Sequence, residues 1–329
     1  MSEQLRAGDW VEVRQPHEIA ATLDAEGTLD GLPFMPEMVE LCGRQFRVLR
    51  RAEKTCIEAP VGVYVVREFH RNNVYLLEEL RCSGAHHDGC QRMCLFFWNI
   101  AWLRKVEDVQ REVVLDLTGL EALLSKMKTK SAPDRYFCQS TQLIKATRPE
   151  SLKKNQILVK CFRDVQSGAV GVLEMIGLII APLYRKLRDR LFGRPKLLGS
   201  LTRTPVGTLG LQPGELVAIK SLEEVTATLD KQGRNRGLVC DIELTKMCGK
   251  EYRVRCRLER MISEATGMMR EVHGTVILEN NMCLCARVLG GCPRLDFTYW
   301  REIWLRRIEP PASKTRTSRL TTGQSQSVK

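Results

Sequence analysis

Residues 8 to 32 run GDWVEVRQPHEIAATLDAEGTLDGL. Trp10, Val11 and Val13 give the short alternation of a strand, and Pro16 then opens a short helix that stops near Gly27. Pro36 starts a second short helix ending at Cys42 and Gly43, where glycine supplies a left-handed cap. QFRVLRR, GVYVVREF and NVYLLEEL follow, β-branched and aromatic segments separated by turn-like breaks, and they predict strands. Several short strands with little helix predict a small curled sheet or barrel.

The same pattern returns. GELVAIKSLEEVTATLDKQGRNRGL at 214 to 238 aligns with 8 to 32 without a gap, and CGRQFRV (42 to 48) aligns with CGKEYRV (248 to 254). After a few residues are lost in a loop, GCQRMCLFFWNIAWLRKVE (89 to 107) aligns with GCPRLDFTYWREIWLRRIE (291 to 309). Matches in one order over this length indicate a duplicated module. The expected fold is therefore α+β: related, mostly β modules at 1–107 and 214–310, joined by a helical middle at 108–213. Helices are predicted over 117 to 130, 135 to 147 and 170 to 196, a loop over 202 to 214, and a disordered basic tail over 311–329.

GDWVEV resembles the first strand of SH3-like barrels. The stretches GDWVEV, ATLD, GLPFMPEM and FWNIAWL, with TPVGTLGLQPGEL, NRGL, GCPR and YWREIWL in the second copy, resemble a family of bacterial hypothetical proteins. That resemblance covers both modules and the YFCQSTQL helix, and it implies no particular mechanism.

Composition adds chemistry to this frame. Hydrophobic residues at 43% and charged residues at 27% are those of a folded globular chain. No charged n-region precedes an apolar run in MSEQLRAGDWVEVRQ, so a cytoplasmic location is expected. Thirteen cysteines in such a chain point to thiols and metal ligation over disulfides. Cys56, Cys82, Cys90 and Cys94 form a candidate thiolate quartet in module 1, suited to tetrahedral zinc or alternatively to an iron–sulfur cluster. His86 and His87 lie between them in GAHHDG; solvated loop histidines are the first reading, and replacement ligands the second.

The second copy tests the quartet. Cys90 aligns with Cys292, Cys82 with Cys283 or Cys285, Cys94 with Asp296 and Cys56 with Ile262. Losing two thiolates together is what one binding unit predicts, and Cys283, Cys285, Cys292 and Asp296 form a poorer set. Four thiolates close the zinc shell and leave no position for water, so such a site holds loops and does no chemistry.

Trp98 and Trp102 recur as Trp300 and Trp304. Packing that closes each module is their first reading, and a peptide-binding or stacking surface the second. No P-loop, GxGxxG, HExxH or GxSxG motif occurs, which favours a binding or accessory protein over an enzyme. A metal-dependent enzyme or electron carrier with a substrate between the modules is the alternative.

The net charge of +12 is unevenly spread, at −3, +9, +2 and +4 over the four segments. Within the basic middle, Arg185, Lys186, Arg188 and Arg190 follow the apolar MIGLIIAPLY. A buried helix between domains is the first reading of this segment, and a helix lying on an anionic membrane surface the second. A protein partner is expected. Nucleic acid suits the segment least, because no aromatic residues interleave the charges.

Overall fold

The computed structural model describes residues 4–59, 63–107, 116–149, 154–166, 168, 170–193, 197–240, 242–283 and 294–308. Alternation at the start of module 1 becomes the strand Trp10–Val13, with Val11 and Val13 buried and Trp10 and Glu12 partly exposed. That period-two burial is what a sheet with one covered face requires.

The strand pairs antiparallel with Gln45–Arg51 on one side and Leu103–Val106 on the other. Val74–Leu77 and then Trp98–Asn99 extend the sheet beyond Gln45–Arg51. Module 2 repeats the order: Leu216–Ile219 lies between Glu251–Arg257 and Leu305–Arg307, with Thr275–Met282 and Phe297–Arg301 beyond. Register repeats as well. Trp10 faces Arg47 as Leu216 faces Arg253, and Val13 faces Leu103 as Ile219 faces Leu305. Each module is thus a meander whose fifth strand folds back beside its first, as closure of a small curled sheet requires.

Elements outside the sheets recur too. Helix Pro16–Thr22 answers to Leu222–Thr226, and a 3-10 turn, Ile100–Trp102 or Glu302–Trp304, separates the last two strands of each module. The segment expected as a second helix, Pro36–Leu41, is a 3-10 helix, like Ile242–Met247. A connector this short is typical of the tighter i→i+3 winding.

All four recurrent tryptophans are core. Trp98, Trp102, Trp300 and Trp304 are each 1% exposed or less, so they present no stacking or peptide-binding surface. Phe34 meets Trp98 and Trp102 edge-on, with centroids 6.3 and 5.2 Å away, and Trp300 meets Trp304 at 6.3 Å. The indole N–H of Trp102 donates to Thr22 Oγ1 (3.1 Å) and that of Trp304 to the equivalent Thr228 Oγ1 (2.9 Å).

Helices Leu120–Lys126 and Gln139–Ala146 of the middle segment dock on module 1, contributing Leu123 and Leu143 to its core. The second begins later than its sequence pattern suggests, because Arg135–Tyr136 is a strand. Gln139 fixes it in place: its side-chain amide donates to the carbonyls of Pro33 (3.0 Å) and Phe97 (2.8 Å), and accepts from the Phe97 N–H (2.9 Å). Helices Lys154–Gln166 and Val172–Phe192 pack on one another. The middle segment also touches equivalent points of the two modules. A Cβ at Gly27 would strike the Lys126 carbonyl, and one at Gly233 the Leu197 carbonyl.

Candidate functional site

The loop after Val74–Leu77 is compact and built on its own backbone. The Cys82 N–H donates to the Cys94 carbonyl (2.8 Å), His87 N–H to Gly84 (3.0 Å) and Cys90 N–H to His87 (3.1 Å). Gly84 adopts φ +71°, and a side chain there would overlap the Cys90 carbonyl. The chain can therefore turn tightly enough to bring Cys82, Cys90 and Cys94 to the wall of one cavity of about 30 Å3.

A fourth thiol lines that cavity, and it is Cys138, not Cys56. Cys138 stands immediately before helix Gln139–Ala146 and is 7% exposed. Cys56 lies on the hairpin strand Lys54–Ala59, opposite Val66, and its carbonyl accepts from Arg294 (2.8 Å). Ile262, from the corresponding hairpin of module 2, closes the cavity, and its N–H points at Cys90 Sγ (3.4 Å).

His87 also lines the cavity, buried, whereas His86 is exposed. The expectation of two solvated histidines therefore fails for His87. Its Nδ1 lies 2.7 Å from Glu37 Oε1 and its Nε2 3.1 Å from the Phe137 carbonyl. Burial opposes its charge, but the hydrogen bond and charge of Glu37 outweigh that and hold its pKa above the ordinary histidine value. With an oxygen acceptor beside each nitrogen, both ring nitrogens are engaged in hydrogen bonds within the protein. Glu37 Oε1 further accepts from the His86 N–H (3.2 Å) and lies 3.8 Å from Cys82 Sγ.

Burial pushes the Cys90 thiol up, Cys138 up to about 12, and Cys82 up further still, with Glu37 adding to the effect on Cys82. Protonated thiols of this kind are not the low-pKa nucleophiles of cysteine enzymes. His70, just after the strand Val63–Phe69, bonds instead to the Lys145 carbonyl (2.8 Å).

In module 2, Cys283 is the counterpart of Cys82: its N–H donates to the Asp296 carbonyl (2.8 Å) as Cys82 donates to Cys94. Cys283 is exposed. Asp296, in the place of Cys94, turns its carboxylate to Arg294 Nε (2.9 Å) and toward Arg92 (3.7 Å). Cys285 and Cys292 lie outside the described residues.

The arginines reveal a reciprocity between the modules. Arg92 points at the carbonyl of Ile262 (3.4 Å), and its repeat equivalent Arg294 donates to the carbonyl of Cys56 (2.8 Å), the residue equivalent to Ile262. Each module thus holds the other's hairpin at the same position. Glu264 joins both, 3.0 Å from Arg92 and 2.8 Å from Arg294, and Arg294 also donates to Ser140 Oγ (2.8 Å). Arg81 completes the contact, donating to the carbonyls of Met93 (2.9 Å) and the equivalent Leu295 (3.0 Å), its guanidinium 4.2 Å from the Phe297 ring centroid. These groups carry no sequence motif. Only the coincidence of Arg92 and Arg294 in GCQR and GCPR could have signalled them.

Among the described residues no group of three or more His, Cys, Asp or Glu side chains is arranged to hold a metal ion, and no helix is long and apolar enough to cross a membrane. Arg185, Lys186, Arg188 and Arg190 lie on helix Val172–Phe192, remote in sequence from the thiols. Comparison with protein-family models, with curated proteins and with solved structures finds no match for the chain.

Proposed function

We propose that the protein is a non-enzymatic binding or accessory protein whose first module is clasped by a structural metal, zinc in the first instance, on Cys82, Cys90, Cys94 and Cys138. The observation that carries this reading is the convergence of four thiols, drawn from one loop and one helix start, on a single cavity. Binding turns the four side chains inward and releases their protons, so metal affinity rises with pH. At about 30 Å3 the cavity takes one ion more readily than a cluster of iron and sulfide, which favours zinc over the electron-carrier alternative. Four thiolates leave no open position, so the ion ties the Cys82–Cys94 loop to the middle segment and does no chemistry. Peripheral attachment to a membrane belongs to the same accessory reading.

The test is metal and acid-labile sulfide content after purification without chelator. About one zinc per chain is expected in the wild type and in Cys56→Ser. Cys138→Ser and the Cys90→Ser/Cys94→Ser double variant should lose it. Iron with sulfide would replace this reading by the redox alternative, and a folded, metal-free wild type would remove it.

A further inference from the structure

Among the described residues, helix Val172–Phe192, about 31 Å long, is covered on one side only. Met175, Leu178 and Ile179 pack against Cys161 and Val165 of helix Lys154–Gln166. On the adjoining side Leu173, Ile176, Ile180, Leu183, Leu187 and Leu191 are all exposed, Leu173 at 85% and Leu191 at 66%. Their spacing of three and four residues places them on one stripe, about a quarter of the circumference wide.

The flanks of that stripe are cationic. At 100° per residue Lys186 and Arg190 fall along one border and Arg188 along the other, while Arg185 lies further round. The acidic residues of the helix are Glu174, in its first turn, and Asp189, which is bonded to Arg188 (2.8 Å). The expectation of a helix buried between domains is therefore not met.

We infer that this face docks on an anionic lipid bilayer, the apolar stripe entering the acyl boundary and the lysine and arginine heads meeting lipid phosphates. An exposed hydrocarbon stripe bordered by long cationic side chains has the layout of a helix lying in the membrane interface, where the stems cover apolar surface and the heads stay among the headgroups. Charge selects this occupant over a second copy of the chain. Parallel pairing of two such helices sets Lys186, Arg188 and Arg190 of each beside those of the other, and antiparallel pairing offers them little besides Glu174. The helix carries no thiol of the metal site, so this inference stands independently of the metal.

Co-sedimentation of the full chain with vesicles tests it. Binding is expected to phosphatidylcholine vesicles containing phosphatidylglycerol, to weaken steeply with salt, and to be at least about tenfold weaker on phosphatidylcholine alone. Ile180→Asp/Leu187→Asp, placed on the exposed face so that folding is retained by circular dichroism, should abolish it. Lys186→Gln/Arg190→Gln should weaken it roughly thirtyfold. Absence of wild-type binding, or equal binding by the aspartate variant, would overturn the inference. So would a wild-type dimer in vesicle-free buffer that Ile180→Asp/Leu187→Asp converts to monomer, since the stripe would then be covered by a second copy.

Discussion

The two modules share strand order, register and the indole to threonine bonds, yet they use one loop position oppositely. In module 1 Cys94 joins three other thiols around a cavity; in module 2 its equivalent, Asp296, pairs with Arg294 and faces Arg92. Duplication supplied one scaffold twice, and a single side chain decides whether the loop offers a soft ligand or a charge. The difference also explains why the modules stay together. A carboxylate at position 296 and Glu264 neutralise two buried guanidiniums that would otherwise be too costly to remove from water. The second copy locks the first.

That contrast can be broken most severely at the reciprocal arginines. Arg294→Ala is expected to lower stability to chemical denaturation by about 3–5 kcal/mol, because the buried Glu264 and the half-buried Asp296 are left beside fewer partners. Arg92→Ala should cost less, since Arg294 alone reaches both Ser140 and the Cys56 carbonyl. Equal losses would show that the two modules contribute symmetrically.

A smaller effect separates the modules through their contact with the middle segment. Gln139→Ala deletes three hydrogen bonds to backbone between the middle segment and module 1 and should cost about 3 kcal/mol. Hydrogen exchange is the measurement: protection should fall in the strands around Phe97 before it falls in 216 to 282. Uniform loss across both modules would mean that they unfold as one unit.

The smallest difference lies in the cores. Trp300 Nε1 donates to Asn281 Oδ1 (3.0 Å), whereas Trp98 Nε1 is buried without a hydrogen-bond partner among the described residues. Trp300→Phe should therefore destabilise by about 1 kcal/mol more than Trp98→Phe in thermal unfolding. Trp102→Phe and Trp304→Phe, each losing one bond to a threonine, should match one another.

Much of the architecture was legible because it is local. Val11 and Val13 alternate into the core, Pro16 opens a helix, and the constant offset from Trp10 to Leu216 and from Val13 to Ile219 survives as pairing register. The candidate site was legible only in part. Cys82, Cys90 and Cys94 lie within thirteen positions and meet because a short loop closes cheaply. Cys138 was missed because it sits outside both repeats, where comparing one copy with the other has no purchase. His87 read as solvated because GAHHDG is glycine-flanked and polar, and nothing nearby in sequence announces Glu37.

By itself, then, the chain determined the duplicated strand order, the core tryptophans and a helix within residues 170 to 196 that is apolar first and basic after, all of which follow from local pattern and the sterics of neighbouring residues. Tertiary structure alone decided which fourth thiol reaches the cavity, which face of that helix is left uncovered, and that Arg294 meets Cys56 across 238 positions. Such contacts depend on how separate elements exclude water from each other, and a buried charge finds its partner wherever the packed chain brings one within reach.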